Sequence, residues 1–221
     1  MDVKRLFING DGFHVPAVML TPASYGAAAL IVPGYGGSKE EFLGLAWRVA
    51  ELGFATCVID LRGHGEHMLP LDDDVLQDVE AAVRHCRGIS GKVIAIGHSM
   101  GGRLALLSSA DAAIAISPAY SKTYCESTHN YIRRMESHRV REPDTETVFR
   151  VLEKLPLWQP GNGRPVSIIY GSRDNYDTIQ SCRELEAAGV PVVLIEKALH
   201  GDSFLFEATF QAIKGELARV F

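Results

Sequence analysis

The sequence predicts an α/β protein with a mostly parallel sheet and helices on both of its faces. Strand-like and helix-like runs alternate over most of the 221 residues, which is the pattern that such a sheet requires. Hydrophobic residues make up 47% of the chain and charged residues 22%, as is ordinary for a soluble globular protein. The length fits a single domain, residues 1–221, with a full hydrophobic core.

Eight strands are expected, and the first two differ from the rest. They are separated by Asn9-Gly10-Asp11-Gly12, a strong turn signal that predicts a hairpin. Pro16 predicts an edge position for the second strand, because proline cannot donate a hydrogen bond to a ladder. The predicted strands are residues 4–8, 13–20, 28–32, 54–59, 92–96, 112–116, 166–170 and 192–196.

Helices are expected in most of the intervals between these strands. Residues 38–52 begin with Ser38 and Glu41 in the spacing of a capping box, and Gly53 is placed to end that helix. Apolar residues three and four positions apart indicate further helices, which cover residues 74–86, 101–110, 179–188 and 206–217.

The alternation breaks at residues 121–160, which are rich in charge and contain no convincing strand. Val148, Val151, Leu152 and Leu155 indicate an amphipathic helix that ends at Pro156. Residues 131–135 suggest a second, shorter helix. We therefore expect a small helical insertion within the single domain.

Composition and charge argue against several classes of protein. Lys and Arg number 22 against 27 Asp and Glu, and the net charge of −5 argues against a nucleic-acid binder. The longest apolar run, residues 27–33, is too short to span a membrane, and no signal peptide is evident. The four cysteines form no CxxC pair and no cluster of metal ligands, which favours a cytoplasmic protein without a metal.

The strongest functional signal is Gly97-His98-Ser99-Met100-Gly101, which follows a predicted strand and precedes a predicted helix. A serine between two glycines at such a turn is typical of a nucleophile elbow, although the same pattern also occurs as a simple tight turn. The elbow would hold the Ser99 hydroxyl above the sheet, at the positive end of the following helix. His98 adjoins the serine, but its place in the turn points it elsewhere.

A serine nucleophile needs a base, and the base needs an acid that orients it. His200 is the predicted base, because it alone among the eight histidines follows the last strand. Asp174 follows the preceding strand in a loop that contains glycine, and it is the predicted acid. Asp177 and Asp202 are its rivals, and Asp174 could instead only cap the helix that follows it.

Acyl transfer also needs hydrogen-bond donors for a developing oxyanion. The N–H of Met100, directly after the nucleophile, is one expected donor. The second is expected from the loop Pro33-Gly34-Tyr35-Gly36-Gly37, where we predict the N–H of Tyr35. Such a loop could also cradle a phosphate, but this one lacks the lysine and the spacing of a P-loop.

With these motifs the chain resembles the α/β-hydrolase superfamily, and within it the serine aminopeptidase/monoacylglycerol-lipase-like group. Three further stretches carry the resemblance: Asp60-Leu61-Arg62-Gly63-His64-Gly65, Gly171-Ser172-Arg173-Asp174 and His200-Gly201. It implies an α/β-hydrolase fold with an eight-stranded sheet, a cap formed by the insertion, and a carboxylesterase-like activity without a cofactor. It also implies a mainly structural role for residues 60–65.

The insertion is expected at the edge of the sheet where the three catalytic candidates emerge, and ligands bind at that edge. A cap there would set substrate choice, and a small cap predicts short or medium esters. The candidates for the pocket wall are Tyr124, Tyr131, Met135 and Trp158, which could equally only join the cap to the body. Peptidase, thioesterase or lipase activity on the same residues, and a non-catalytic binding role, stay open.

Overall fold

Eight strands form one sheet at the centre of the molecule. The computed structural model describes residues 1–136, 140–141, 144–161 and 163–220, apart from the side chains of residues 135, 136 and 145. The strands are β1 (Asp2–Asn9), β2 (His14–Thr21), β3 (Ala27–Val32), β4 (Phe54–Ile59), β5 (Val93–His98), β6 (Ala112–Ile116), β7 (Val166–Arg173) and β8 (Val192–Leu199).

The strand order is β1-β2-β4-β3-β5-β6-β7-β8. β1 and β2 form the expected hairpin, β2 pairs antiparallel with β4, and all other pairs are parallel. The predicted fold class is therefore confirmed. The carboxyl ends of the parallel strands meet at one edge, which is where polar side chains can converge.

The edge position predicted from Pro16 is wrong, because β2 lies between β1 and β4. The carbonyl of Pro16 accepts a hydrogen bond from the backbone N of Asp60 at 2.9 Å. Regular pairing with β4 starts at the next residue, Ala17. The missing N–H of proline therefore falls where the ladder ends and breaks no bond within it.

Seven helices are present in the described residues, and five of them cover the sheet. They are α1 (Leu43–Glu51), α2 (Val75–Ile89), α3 (Met100–Leu107), α4 (Glu126–Glu136), α5 (Thr145–Lys154), α6 (Tyr176–Ala187) and α7 (Glu207–Val220). The helix predicted at 38–52 starts instead as a 3₁₀ turn, Lys39–Phe42, before α1. None of the described helices is long and apolar enough to cross a membrane.

The two faces of the sheet are covered by different helices. In β3, Leu30 and Val32 point into the cluster that contains α2 and α3, whereas Ala29 and Ile31 point into the cluster that contains α1 and α7. This alternation follows from the two-residue period of a strand. Burial of each large apolar side chain stabilises the folded protein by about 1.5–3 kcal/mol, so the clusters on both faces of the sheet contribute to the free energy of unfolding.

Residues 121–160, which we call the cap, contribute α4 and α5. In the described residues of the cap, the only extended pairing is an isolated bridge between Val140 and His64. Most of the buried apolar side chains described in the cap, such as Ile132 and Leu152, belong to the same core cluster as Met100 on α3, whereas Trp158 packs against β6 and β7. The described part of the cap therefore packs on the body at the carboxyl edge of the sheet, and its residues form no core cluster of their own.

Candidate active site

Ser99 lies at the turn between β5 and α3, with φ of 55° and ψ of −119°. Such a backbone conformation is strained for any residue except glycine, and it is typical of functional sites. A Cβ atom at Gly97 would lie 2.0 Å from the carbonyl O of Gly101, and one at Gly101 would lie 2.2 Å from that of Val32. The turn is therefore so tight that both flanking glycines are required.

His200 and Asp174 complete a chain of hydrogen bonds from Ser99. The Nε2 atom of His200 lies 2.9 Å from Ser99 Oγ, and its Nδ1 atom lies 2.6 Å from Asp174 Oδ1. Since an ionised carboxylate only accepts, Nδ1 carries the hydrogen and Nε2 is left to accept the serine proton. All three residues are buried.

The carboxyl group of Asp174 is held in its charged form. Burial raises its pKa, but its hydrogen bonds, first of all the one with His200, and the charge of His200 together outweigh burial, so that the pKa lies below the ordinary value. The backbone N of Asn175 donates to the same oxygen, Asp174 Oδ1, at 2.7 Å. An ionised Asp174 fixes the tautomer of His200 and would stabilise its protonated form.

The two rival acids have other partners. Asp177 accepts hydrogen bonds from the backbone N of Cys125 at 3.0 Å and from Thr128 Oγ1 at 2.7 Å, so it holds the start of α4. Asp202 accepts from the backbone N of Leu199 at 2.7 Å, within the loop that carries His200.

His98 supports the His200 loop. Its Nε2 atom lies 2.8 Å from the carbonyl O of His200, which can only accept, so Nε2 donates. Burial and the nearby His200 lower the pKa of His98 to about 3. His98 is therefore neutral and turned away from the Ser99 hydroxyl.

The sequence of residues 29–176, more than half of the chain, matches the model of the alpha/beta hydrolase family. The chain belongs to this family. No curated protein matches the chain.

Solved structures of hydrolases share the fold over nearly the whole chain. An esterase from Pyrobaculum calidifontis is 20% identical, with 99% of this chain and 84% of the esterase covered and a TM-score of 0.66. Est1E from Butyrivibrio proteoclasticus, solved with ferulic acid bound, is 19% identical, with 96% and 99% covered and a TM-score of 0.69. The alpha/beta hydrolase GrgF from Penicillium sp. sh18 is 13% identical, with 100% and 98% covered and a TM-score of 0.78.

The loop that carries Tyr35 passes directly over the candidate nucleophile of this hydrolase. A Cβ atom at Gly34 would lie 2.9 Å from the Cβ atom of Ser99, so only glycine fits there. Met100 is the first residue of α3, and a helix leaves the N–H groups of its first turn without an intrahelical acceptor. Tyr35, Ser99 and Met100 line the same small cleft.

Residues 60–65 support this loop from below. The ring of His64 contacts the ring of Tyr35 edge-on, with centroids 5.3 Å apart. Asp60 is fully buried and pairs with Lys39 Nζ at 2.6 Å, and a Cβ atom at Gly65 would collide with its carboxylate. No described contact joins His64 to Ser99, which fits a structural role.

Two cavities meet at Ser99 and His200. The outer cavity has a volume of about 330 Å³, and exposed residues such as Glu41 and Leu205 form its rim. The inner cleft is only about 30 Å³, and it lies beneath the cap. Its lining comprises Tyr35, Ser99, Met100, Ala119, Tyr124, Thr128, Ile132, Val148, Phe149, Leu152, Asn175, Thr178 and His200. Among these described residues there is no Asp, Glu, Lys or Arg, so the cleft suits an uncharged group.

The four candidates for the pocket wall lie in different places. Tyr124 lines the inner cleft, and Tyr131 lines the outer cavity with its ring edge-on to His200, centroids 5.7 Å apart. Trp158 packs into a cluster with β6 and β7 and lines neither cavity. Met135 is in α4, but its side chain lies outside the described residues. Of the four candidates, only Tyr124 and Tyr131 have described side chains that line a cavity beside Ser99.

Sequence reasoning missed several residues that line the two cavities. Val148 and Leu152 of α5 line the inner cleft, and Phe204, which follows His200, lines the outer cavity. The apolar stripe of α5 indicated one buried face, but periodicity does not tell a core contact from a cavity wall. Phe204 lies in a short 3₁₀ turn that gives no periodic signal.

Other features lie away from Ser99. A groove of about 590 Å³ surrounds the amino ends of the strands, near Ala27, Phe54 and Lys92, and no residue of the Ser99 site lines it. Within the part of the chain that the structure describes, no three His, Cys, Asp or Glu residues are grouped as metal ligands.

Proposed function

We propose that this protein is a serine hydrolase that cleaves carboxylic esters through an acyl-enzyme formed on Ser99. The observation that carries the proposal is the unbroken chain of hydrogen bonds from Ser99 Oγ through His200 to Asp174. A purely binding role needs neither this alignment nor the strained backbone of Ser99, so the geometry favours catalysis.

In the proposed mechanism, Ser99 Oγ attacks the ester carbonyl carbon while His200 Nε2 takes the hydroxyl proton. The protonated His200 then gives that proton to the leaving alcohol, and the C–O bond breaks to leave an ester of Ser99. Water next attacks the acyl carbon while His200 takes its proton, and His200 then gives this proton to Ser99 Oγ as the acyl C–Oγ bond breaks and the carboxylic acid is released. Asp174 stabilises the protonated imidazole in both steps.

The oxyanion of each tetrahedral intermediate would be held by the N–H groups of Tyr35 and Met100. The positions of these two residues support this role, because the loop of Gly34 and Tyr35 lies against Ser99 and Met100 is the first residue of α3. The positive end of that helix favours negative charge at the same point. One such donor is typically worth about 10²–10³ in rate.

The two cavities favour esters with a short acyl group. Ser99 lines both cavities, and we assign the acyl chain to the small inner cleft because Met100, an expected oxyanion donor, lines only that one. The alcohol takes its proton from His200 and leaves through the outer cavity, which is about ten times larger by volume. An esterase and Est1E with ferulic acid are among the proteins that share this fold, which supports ester substrates.

A fluorophosphonate tests the proposal directly, because it reacts only with an activated serine. We expect the wild-type protein to take up one equivalent, and Ser99→Ala to lose both the label and ester hydrolysis, by roughly 10³-fold or more. Ser24→Ala is the control, since Ser24 is exposed near the groove at the opposite edge. A folded wild-type protein that takes no label would indicate a binding role instead.

A further inference from the structure

We propose that Arg103 is a positioning residue that clamps the two ends of the cap to the nucleophile helix and so limits which acyl groups enter the inner cleft. The proposal rests on the proposed function for its effect on substrates. Arg103 lies one turn after Ser99 on α3, and its backbone N donates to the carbonyl O of Ser99 at 3.2 Å. Its side chain is fully buried.

The guanidinium group of Arg103 reaches both ends of the cap at once. Where the chain enters the cap, Nη1 donates to the carbonyl O atoms of Ala119, just before the cap, at 3.2 Å and of Ser121, its first residue, at 2.8 Å. At the end of the cap, Nη2 donates to Leu155 O at 2.5 Å and Nε donates to Pro156 O at 3.3 Å. One side chain therefore joins two segments that lie more than 30 residues apart in sequence.

The residue type fits a clamp better than a charge pair. Arg103 forms no salt bridge to a carboxylate in the described residues, and burial lowers its pKa. Burying a cation without an opposite charge is costly, and only its hydrogen bonds can offset that cost. The rigid fork of arginine offers five donors from three nitrogen atoms in fixed directions, whereas the ammonium of lysine offers three donors from a single atom.

The clamp affects the inner cleft because the cap, whose two ends Arg103 holds, contributes residues to the wall of the cleft. Between the two clamped ends, α4 and α5 place Ile132, Val148 and Leu152 over Ser99. Tyr124, also in the cleft wall, donates its hydroxyl to the carbonyl O of Ala119 at 3.0 Å, which is one of the acceptors of Arg103. Burial raises the pKa of Tyr124 to about 12, so this hydroxyl keeps its proton.

Lys122 bridges the same two ends from outside, through bonds from its Nζ atom to Glu153 O and Leu155 O. Its side chain is exposed, and an exposed tether of this kind contributes less than a buried one. We therefore expect the distance between the cap helices and Ser99 to depend mainly on Arg103.

The test compares Arg103→Met, which keeps an unbranched apolar stem but removes the donors, with Arg103→Lys and with Arg164→Met. Arg164 is the matched control, because it also donates to backbone carbonyls, but to those of Ala105, Leu106 and Ser108 at the far end of α3 and of Ala112 at the start of β6. Hydrogen exchange of α4 and α5 reports the clamp without any need for activity. Fluorophosphonate labelling and the kcat/KM ratio of an acetyl to an octanoyl ester of one alcohol report the site.

In Arg103→Met we expect faster exchange across α4 and α5, labelling within about 3-fold of wild type, and an acetyl-to-octanoyl ratio lowered by about 10-fold, a usual size for discrimination by a few methylenes. Arg103→Lys should be intermediate, and Arg164→Met should change neither the exchange of the cap nor the ratio. Equal exchange in Arg103→Met and Arg164→Met would overturn the clamp. Faster exchange with an unchanged ratio would overturn its effect on substrates. Absence of label in the wild type would instead reject the proposed function.

Discussion

Single residues at the carboxyl edge of the sheet determine the chemistry that this hydrolase can perform. The strained backbone of Ser99 costs about 1–3 kcal/mol, and the neighbouring strands hold it in place. Its N–H donates to the carbonyl O of Ile116 at 2.9 Å, and its own carbonyl accepts from the N–H of Ala119 at 3.0 Å. Because these bonds come from the end of β6, the nucleophile is fixed by the sheet rather than by a mobile loop.

Replacing Asp174 by asparagine tests the acid. An asparagine can hold His200 in the wrong tautomer and cannot stabilise its protonated form, so we expect kcat to fall by about 10⁴-fold. The fold should survive, since the side chain keeps its shape. Asp177→Asn is the control, because Asp177 holds α4 and does not contact His200. A similar loss in both variants, measured on one acetyl ester, would contradict the assignment.

At this scale the sequence was informative because the chemistry is encoded in short motifs. The glycines at 97 and 101 and the order serine, acid, histidine pointed to Ser99, Asp174 and His200, which the structure brings within hydrogen-bond distance. The clamp by Arg103 could not be found in this way. Its partners are backbone carbonyls, which every residue has, so no side-chain pattern marks them.

Among the secondary-structure elements, the cap helices determine the shape of the inner cleft. Val148 and Leu152 are four residues apart on α5 and so lie on the same face, over Ser99. Val151 is similarly buried and lies in the same core cluster, but it does not line the cleft. The periodicity of α5 predicted that all three are buried, yet it could not separate the wall of the cleft from the core.

Shortening Leu152 should enlarge the inner cleft. We expect Leu152→Ala to raise kcat/KM for a hexanoyl or octanoyl ester relative to the acetyl ester by about 10-fold, since the acyl pocket gains the volume of the lost side chain. Val151→Ala is the matched control, because it also removes buried methyl groups and lowers the free energy of unfolding. An equal change of the ratio in both variants would show that loosening of the core, not the cleft, sets acyl preference.

For the molecule as a whole, the sheet aligns the three catalytic candidates by bringing together strand ends that are distant in sequence. His200 lies 101 positions after Ser99, and the two meet because β5 and β8 end at the same edge. The alternation of strand-like and helix-like runs predicted a mostly parallel sheet, but it does not specify which strands are neighbours. For that reason the edge position predicted from Pro16 was wrong. The order of β1, β2, β4 and β3 depends on packing across the sheet, which local periodicity does not record.

The burial of His98 couples the stability of the whole fold to pH. Its pKa is lowered from 6.5 to about 3 in the folded protein. Between about pH 3 and about pH 6.5 the unfolded chain binds a proton at His98 that the folded protein does not bind. The free energy of unfolding therefore rises with pH over this range, and the stability that the neutral His98 contributes is lost as the pH falls below about 6.5. Between about pH 7 and about pH 5 this loss amounts to about 2 kcal/mol.

His98→Gln removes the titrating group while its amide can still donate to the carbonyl of His200. We therefore expect urea unfolding to show a smaller loss of stability in His98→Gln than in the wild type between about pH 7 and about pH 5, by about 2 kcal/mol. Phe42→Leu is the control, since Phe42 packs against His98 with ring centroids 6.0 Å apart but does not titrate. It should lower stability equally at both pH values. If the wild type and His98→Gln lost the same stability on acidification, His98 would not be the group that links folding to pH.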